Sequence, residues 1–278
     1  MDKPIVALMY DFDKTLAITD MQNFSFIPSL GYTPEQFWSE TTKFCQKMDI
    51  DRVLGYMYMM MDLANKKNIK LTREFLNEQG KSIKYFRGVE HWFKRISEYG
   101  EEKGLKVEHY LITSGNKEIV EGTSIFKEFK QVFGCEYIYD EEAKTAKWPK
   151  TMINYTQKTQ YIFRISKGLI ESNDDREINE KTPIRRVLYE NMIYLGDGLT
   201  DVPSMIVVKE NGGSSIAVYK KGERDLVSHL FEDGRVNYIC KADYGENSEL
   251  DKVVKLIIDG IQIKASLEKR RQDIRKEL

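Results

Sequence analysis

Two aspartates stand at the end of an apolar run near the beginning of the chain: Asp11 and Asp13 follow residues 5–10. Side chains two positions apart in an extended segment point the same way, so both carboxylates can face one site while Phe12 turns toward the core. Two carboxylates held that close repel each other unless a cation lies between them. The pair therefore predicts a cation-dependent site, although the spacing alone also fits a simple aspartate-containing turn.

Two later apolar runs end in the same way. Residues 110–112 lead into Thr113-Ser114-Gly115, and residues 192–195 lead into Gly196-Asp197-Gly198 with Asp201 shortly beyond. Apolar runs without alternation are typical of strands covered on both faces, as in parallel sheets flanked by helices. Ligands bind outside the carboxyl ends of such strands. We therefore predict an α/β fold with a doubly wound parallel sheet, whose carboxyl edge gathers these polar residues.

The rest of the chain supplies further elements of such a fold. Helix-compatible stretches separate the apolar runs, which is the pattern of strands joined by crossover helices. An apolar stripe in residues 250–261 predicts that the last helix docks on the core, and the charged residues 268–276 are predicted to face solvent. The polar segment 171–183 is predicted to be an exposed loop. Other predicted elements are strands at 135–139, 215–219 and 236–240, a hairpin near 140–148, a strand-like segment at 151–153, and helices at 117–131, at 200–211 and from about 155 onward.

Residues 17–84 are predicted to form a helical insertion, a cap beside a core made of residues 1–16 and 85–278. Aromatic and methionine residues recur in the insertion at helical spacing, and strand-like runs are nearly absent. Residues 33–36, Thr-Pro-Glu-Gln, have the composition of a helix start, with a capping threonine and a proline in the first turn. The excursion is long for a connection between two strands. The alternative is that these helices simply pack on the sheet.

Composition and charge argue against several classes of protein. The chain of 278 residues has 43 basic and 44 acidic side chains, so no overall field favours nucleic acid or a membrane, and neither is predicted as a partner. The three cysteines, Cys45, Cys135 and Cys240, lie far apart without the spacing of a zinc site or a disulfide framework. An apolar strand that begins by residue 5 leaves no room for a signal peptide. We therefore expect a cytoplasmic protein that is a monomer or a homodimer.

The ordered set of motifs resembles that of the haloacid dehalogenase (HAD) superfamily, in particular its C1-capped, phosphoserine phosphatase-like branch. The set consists of Asp-Phe-Asp-Lys-Thr at 11–15, Thr-Ser-Gly at 113–115, a lysine-bearing helix, and Gly-Asp-Gly-Leu-Thr-Asp at 196–201. The resemblance covers the core, roughly residues 5–16 and 85–245, and an insertion directly after the first motif is the position of a C1 cap. It implies a phosphatase, a phosphoric monoester hydrolase acting on a small phosphorylated metabolite.

The resemblance also implies roles for the first two motifs. Asp11 would be the nucleophile that attacks phosphorus and forms an aspartyl-phosphate. Asp13 would be the general acid and then the general base, and the neighbouring carboxylate is expected to raise its pKa. Ser114, or Thr113 as the alternative, would bind a phosphoryl oxygen together with the following backbone N–H.

A magnesium site is implied by the same resemblance. Asp11, Asp197 and the backbone carbonyl of Asp13 would hold Mg²⁺, and Asp201 would bind it directly or through water. Mg²⁺ prefers oxygen ligands and usually keeps several waters, so a site with few carboxylates suits it.

The family also has a lysine that neutralises the nucleophile and the phosphoryl group. Lys158 is predicted to be this residue, because it opens a helix after the strand-like segment 151–153. Lys167, near the end of the same helix, is the alternative, although its position is more typical of a C-terminal cap.

Several other functions are weighed against this one. True dehalogenases lack an acid at the position of Asp13, and Leu16-Ala17 replaces the Gly-Thr of ion-pumping ATPases. Phosphotransfer to another acceptor, as in a mutase, stays open. A non-catalytic phosphometabolite-binding protein also stays open, although a binder has no need of an acid beside a nucleophile. The three histidines, His91, His109 and His229, are predicted to be structural or surface residues.

Overall fold

The centre of the protein, in a computed structural model that describes residues 3–171, 175–181 and 185–277, is a seven-stranded sheet. Its strands are β1 (Ile5–Tyr10), β2 (Lys106–Asn116), β3 (Gln131–Tyr139), β4 (Ala146–Thr151), β5 (Met192–Gly196), β6 (Ser214–Tyr219) and β7 (Tyr238–Lys241). They lie in the order β4-β3-β2-β1-β5-β6-β7. All neighbours are parallel except β4, which runs antiparallel to β3. The predicted α/β fold with a mostly parallel sheet is confirmed.

Helices connect and cover these strands. Before β2 lie α1 (Phe26–Ser29), α2 (Pro34–Met48), α3 (Arg52–Lys66), α4 (Arg73–Gly80) and α5 (Val89–Glu102). After it come α6 (Lys117–Glu121), α7 (Tyr155–Lys167), α8 (Asp175–Asn179), α9 (Val202–Glu210), α10 (Asp225–Glu232) and α11 (Glu249–Glu277). Short 3-10 turns lie at Met21–Asn23, Phe126–Glu128 and Tyr189–Asn191.

Strand β1 lies at the centre of the sheet and is buried on both faces. On one face, Trp92 of α5 donates a hydrogen bond from Nε1 to the Tyr10 hydroxyl (2.9 Å). On the other, Met9 lies in register with Tyr194 of β5, whose hydroxyl reaches the beginning of α9. An apolar run without alternation suits this position, because every side chain of the strand meets a covering layer.

Strand β2 extends past the end of β1, so its last residues lie above the carboxyl edge of the sheet. Tyr10 is in register with Leu111, and β2 continues to Asn116. The pairing of β2 with β3 shifts register between Ile112 and Asn116. This irregular segment contains the Thr-Ser-Gly motif at 113–115 and places it beside the first motif.

The regular elements between residues 17 and 84 are helices, as predicted. Helix α2 begins with a capping box in which Thr33 and Gln36 each bond the other's backbone N–H. The two ends of the segment lie side by side, since Ile18 N–H donates to Lys84 O (3.0 Å) and Phe86 N–H donates to Leu16 O (3.0 Å). We call these paired segments, residues 16–18 and 84–86, the neck. The division into a core and a cap stays a prediction.

Helix α4 of this segment packs backbone to backbone on α6. A Cβ atom on Gly122 would lie 1.7 Å from Asn77 O, and one on Gly80 would lie 2.1 Å from Ile119 O. Only glycine permits such an approach. The predicted helix at 117–131 is wrong: α6 ends at Glu121 with Gly122 as its C-cap, and a 3-10 turn follows before β3.

Two other predictions are corrected in the chain between β3 and β5. The hairpin near 140–148 is confirmed, but its second strand is the edge strand β4, which contains Pro149 and ends at Thr151, so residues 152 and 153 are not in a strand. The segment 171–183, predicted to be a loop, contains α8. Residues 172–174 and 182–183 of that segment lie outside the described residues.

The last helix, α11, docks on the core through its first half, as predicted. Leu250, Val254, Ile258 and Ile261 are buried, whereas most residues from 262 onward are exposed. Among the described residues, none of the helices combines the length and apolar character needed to cross a membrane.

Candidate active site

Four predicted site residues meet at the carboxyl edge of the sheet. Lys158 Nζ lies 2.7 Å from Asp11 Oδ1 and 2.8 Å from Asp201 Oδ1. Asp11, Asp197 and Asp201 each offer a carboxylate oxygen within 4.8 Å of the others. Residues separated by up to 190 positions in the chain thus form one cluster, because the carboxyl ends of β1 and β5 are neighbours.

Local structure explains how each side chain reaches the cluster. The N–H of Asp11 donates to Leu195 O (2.9 Å), which ties the end of β1 to β5. Helix α7 begins at an Asn154 cap, whose side chain accepts from Thr156 N (3.2 Å) and Gln157 N (3.1 Å). This cap sets the start of the helix, so Lys158 in its first turns points inward and is fully buried.

Asp201 is held by two donors on one oxygen. Its Oδ1 accepts from Lys158 Nζ and from the Tyr194 hydroxyl (2.8 Å). Its Oδ2 is buried without a partner and lies against Gly196, where an added Cβ would be 2.6 Å away. The glycine before Asp197 is therefore needed for the close approach of Asp201. Sequence reasoning missed Tyr194, since a tyrosine inside an apolar strand carries no signal of such a contact.

Asp13 lies beside this cluster in a tight turn. Lys14 adopts the left-handed conformation (φ 57°), and its ammonium pairs with Asp20 (3.0 Å). Asp13 Oδ1 accepts from Met21 N–H (2.7 Å). Burial raises the pKa of Asp13 well above its ordinary value, and Asp20 and Asp11 raise it further. The predicted direction is therefore right, but burial rather than the neighbouring carboxylate is the largest cause.

The second motif distinguishes its two hydroxyls. Thr113 Oγ1 accepts from Gly115 N–H (2.9 Å) and is used within the backbone turn. Ser114 Oγ is buried without a partner, so it is the hydroxyl available to a ligand. The N–H of Gly115 was predicted to bind the phosphoryl oxygen together with Ser114. In this structure it donates instead to Thr113 Oγ1.

Lys167, the alternative lysine, lies away from the cluster. Its ammonium donates to the backbone carbonyls of Ile178 and Glu180 (2.7 Å for the second). His109 is buried in the core, where its ring nitrogens contact the Tyr10 and Ser97 hydroxyls. Neither residue joins the site.

Burial and like charge dominate the electrostatics of the cluster. Burial and the nearby Asp201 raise the pKa of Asp11 to about 6, despite the opposing effect of Lys158. Burial, Asp11 and Asp201 raise the pKa of Asp197 well above its ordinary value. Burial alone would lower the pKa of Lys158, but Asp11 and Asp201 outweigh it and raise that pKa. One lysine does not compensate three carboxylates, so the site favours a further cation.

A divalent cation with oxygen ligands fits the residues present. The unpartnered Oδ2 of Asp201 and the clustered carboxylates of Asp11 and Asp197 are hard oxygen donors facing one another. No sulfur or imidazole ligand lies among the three clustered groups, which suits a hard cation rather than a soft one.

In the absence of a metal, the free energy of unfolding should fall as pH rises from about 4 to about 6. The unfolded chain releases the Asp11 proton near its ordinary pKa of 3.8, whereas the folded protein keeps it until about 6. The folded state binds more protons in this window, so rising pH favours unfolding, by up to about 3 kcal/mol from this group. Urea denaturation in EDTA, with Asp11→Asn as the reference, measures the difference. A wild-type curve parallel to that of the variant would contradict the prediction.

A cavity of about 220 Å³ opens beside the carboxylate cluster. It lies between the neck and the segment that joins β6 to α10, and Asp197 forms part of its wall. Sequence reasoning did not assign residues 218–227 to the site, because they contain no motif. Its other walls include Lys14, Ile18, Phe86, Lys220 and Leu226.

The amino-acid sequence is similar to that of a bacterial protein. No family model matches the chain. A curated protein of Borreliella burgdorferi strain B31, described as an uncharacterized protein, is 26% identical over 274 residues, covering 88% of this chain and 94% of its own length.

Solved structures share the architecture. A HAD family hydrolase from Salmonella enterica serovar Typhi has a TM-score of 0.59 at 14% identity, covering 92% of this chain and 72% of its own. A phosphoserine phosphatase solved as a phospho-aspartyl intermediate analogue has a TM-score of 0.55 at 14% identity, covering 91% and 99%. A probable phosphoserine phosphatase from Vibrio cholerae has a TM-score of 0.57 at 11% identity, covering 95% and 67%. The chain therefore has the fold of HAD-family hydrolases, as its motifs predict.

Proposed function

We propose that this protein is a Mg²⁺-dependent phosphatase that hydrolyses a small phosphomonoester through an aspartyl-phosphate. The observation that carries the proposal is the buried Lys158 shared between Asp11 and Asp201, with Asp197 beside them. A lysine in this position holds the nucleophile and can neutralise a phosphoryl group. The HAD fold and the phospho-aspartyl analogue of a similar structure support the same chemistry.

Asp11 would carry out the covalent step. Lys158 binds Oδ1 of Asp11, so Oδ2 is the oxygen that attacks phosphorus. The bond between Oδ2 and phosphorus forms while the bond from phosphorus to the leaving alcohol oxygen breaks. Water then attacks the same phosphorus, which releases inorganic phosphate and restores the carboxylate of Asp11.

Asp13 would move the protons in both steps. Its pKa is raised by burial, and this favours the protonated carboxyl that a general acid needs. Because Oδ1 accepts the Met21 N–H, the proton resides on Oδ2, from which it passes to the leaving alcohol. The resulting carboxylate then takes a proton from the water that cleaves the aspartyl-phosphate.

The remaining residues would bind and orient the substrate. Asp11, Asp197 and the Asp13 backbone carbonyl would hold Mg²⁺, with Asp201 contributing directly or through water. When bound, the ion would neutralise charge on the phosphoryl oxygens. Ser114 would donate its unpartnered hydroxyl to a phosphoryl oxygen.

The helical insertion would act as the cap of this enzyme. Its helices lie beside the site, and Met21 at its beginning contacts Asp13. The cavity between the neck and the β6–α10 segment offers space for a small leaving group. A cap of this kind excludes water from the reacting groups and contacts the part of the substrate that differs among metabolites.

A panel of phosphorylated metabolites with Mg²⁺ or EDTA tests the proposed function. We expect phosphate release from at least one small phosphomonoester in Mg²⁺ and none in EDTA. Transfer of labelled phosphate to a second substrate rather than to water would instead indicate a phosphotransferase. Tight binding of phosphorylated compounds without turnover would indicate a binding protein.

A further inference from the structure

Ser114, the proposed phosphate-binding serine, is contacted by a helix of the segment 17–84 as well as by a strand of the sheet. Tyr56 of α3 donates a hydrogen bond from its hydroxyl to the backbone carbonyl of Ser114 (2.6 Å). The tyrosine is only 6% exposed, so water hardly competes for this bond. The residues are 58 positions apart, and no sequence motif links them.

The carbonyl of Ser114 lies where the sheet is irregular. The pairing of β2 with β3 shifts register between Ile112 and Asn116, so the Ser114 peptide lies within an interrupted part of the ladder. Side chains hold this peptide: besides Tyr56, the Cys135 thiol donates to the same carbonyl (3.2 Å). A serine side chain has one rotatable bond to its hydroxyl, with three staggered positions, so the orientation of the peptide limits where Oγ can point.

Tyr56 is itself held from both sides. Tyr137 of β3 donates from its hydroxyl to Met57 O (2.8 Å), the carbonyl next along α3. Trp38 of α2 packs edge-on against the Tyr56 ring at 6.1 Å, and its Nε1 donates to Asn23 Oδ1 (2.8 Å). A hydroxyl fixed in this way can in turn fix its acceptor.

We propose that Tyr56 is a positioning residue for phosphate binding, which acts by holding the Ser114 peptide so that the unpartnered Oγ faces the phosphoryl group. The inference rests on the proposed function, because it assumes that Ser114 binds phosphate. Through Tyr56, the helical insertion would help to form the phosphate site. This role would be the same whichever metabolite the cap selects.

A double-mutant cycle between Tyr56→Phe and Ser114→Ala tests this role. Tyr56→Phe removes one hydroxyl and keeps the ring, so its effect should reach phosphate only through Ser114. When Ser114 is present, we expect Tyr56→Phe to lower the affinity for inorganic phosphate in Mg²⁺ about tenfold. This is the change expected from the loss of one hydrogen bond. In the Ser114→Ala background the same substitution should change that affinity less than about twofold, because the group it positions is gone.

Tyr58→Phe is the matched control, since Tyr58 lies on the same helix, is 44% exposed and stacks on Phe44. It should leave the affinity for phosphate unchanged in both backgrounds. Equal losses for Tyr56→Phe with and without Ser114 would show a general structural effect and overturn the inference. Unchanged affinity in the Ser114 background would overturn it as well.

The binding measurement separates this inference from the proposed function. Calorimetry with inorganic phosphate needs no turnover, so the cycle can be completed in a protein that hydrolyses nothing. Coupled binding without hydrolysis of any phosphomonoester would refute the enzyme and retain the positioning role. Hydrolysis without coupling would retain the enzyme and refute the role of Tyr56, and a wild-type protein that fails to bind phosphate would refute it too.

Discussion

Asp11→Asn should reduce phosphate release from every substrate by at least ~10⁴-fold, the scale of losing a covalent nucleophile. The amide keeps the shape of the carboxyl and can still contact Lys158, so the fold should survive. What it lacks is the negatively charged carboxylate oxygen that attacks phosphorus. The measurement is phosphate release in saturating Mg²⁺ with the best substrate of the panel.

A surface substitution provides the control for Asp11→Asn. Asp62 lies on α3 and pairs with Lys66, away from the cluster, so Asp62→Asn should keep full activity. Rapid quenching of the wild-type reaction followed by borohydride reduction should convert the phosphorylated aspartate into homoserine at position 11. Full activity in Asp11→Asn, or homoserine at a different aspartate, would rule out the covalent role of Asp11.

Lys158→Met should have the second largest effect, on both turnover and stability. The substitution keeps the apolar stem but removes the cation between Asp11 and Asp201, which are 5% and 0% exposed. Removing one partner of a buried ion pair typically costs about 3–5 kcal/mol, because the remaining charge is buried without compensation. We expect a loss of this size in EDTA at pH 7 by urea denaturation, and a turnover reduced by at least ~10³-fold.

Lys167→Met is the matched control for this lysine, since Lys167 lies on the same helix and donates to the backbone carbonyls of Ile178 and Glu180 rather than to the carboxylate cluster. It should keep most of the activity. Lowering the pH should restore part of the stability of Lys158→Met, because protonation of Asp11, whose pKa is already raised to about 6, removes a buried charge that has lost its partner. Normal turnover in Lys158→Met together with collapse in Lys167→Met would reverse the assignment.

Much of the site could be predicted because its residues follow elements with strong local signals. Asp11, Asp197 and Asp201 come after apolar strands, and parallel strands bring their carboxyl ends to one edge. Lys158 was favoured over Lys167 by its place in a helix: it lies in the first turns after the segment 151–153, whereas Lys167 stands at the helix end, next to Gly168. Periodicity and capping are local properties, so they can be read without knowledge of the tertiary fold.

The contacts that were missed depend on the tertiary fold rather than on a local pattern. Tyr194 and Tyr56 look like ordinary apolar positions, and only the folded chain brings their hydroxyls to Asp201 and Ser114. Helix α6 was predicted too long although Gly122, a residue type that commonly ends helices, follows Glu121; in the structure this glycine is the C-cap and lies against Asn77 of α4. The main cause of the raised pKa of Asp13 is burial, which the spacing of two carboxylates does not reveal.

The neck has a consequence for how such proteins can diversify. Its two segments, residues 16–18 and 84–86, are joined by backbone hydrogen bonds, so the chain enters and leaves the helical segment between them at points about one strand spacing, ~4.8 Å, apart. A segment of almost any length can be exchanged between them in evolution without disturbing the register of the sheet. If the proposed role of Tyr56 is correct, each exchanged segment must also bring a donor for the Ser114 carbonyl, so freedom to change substrate would be limited by one inherited contact.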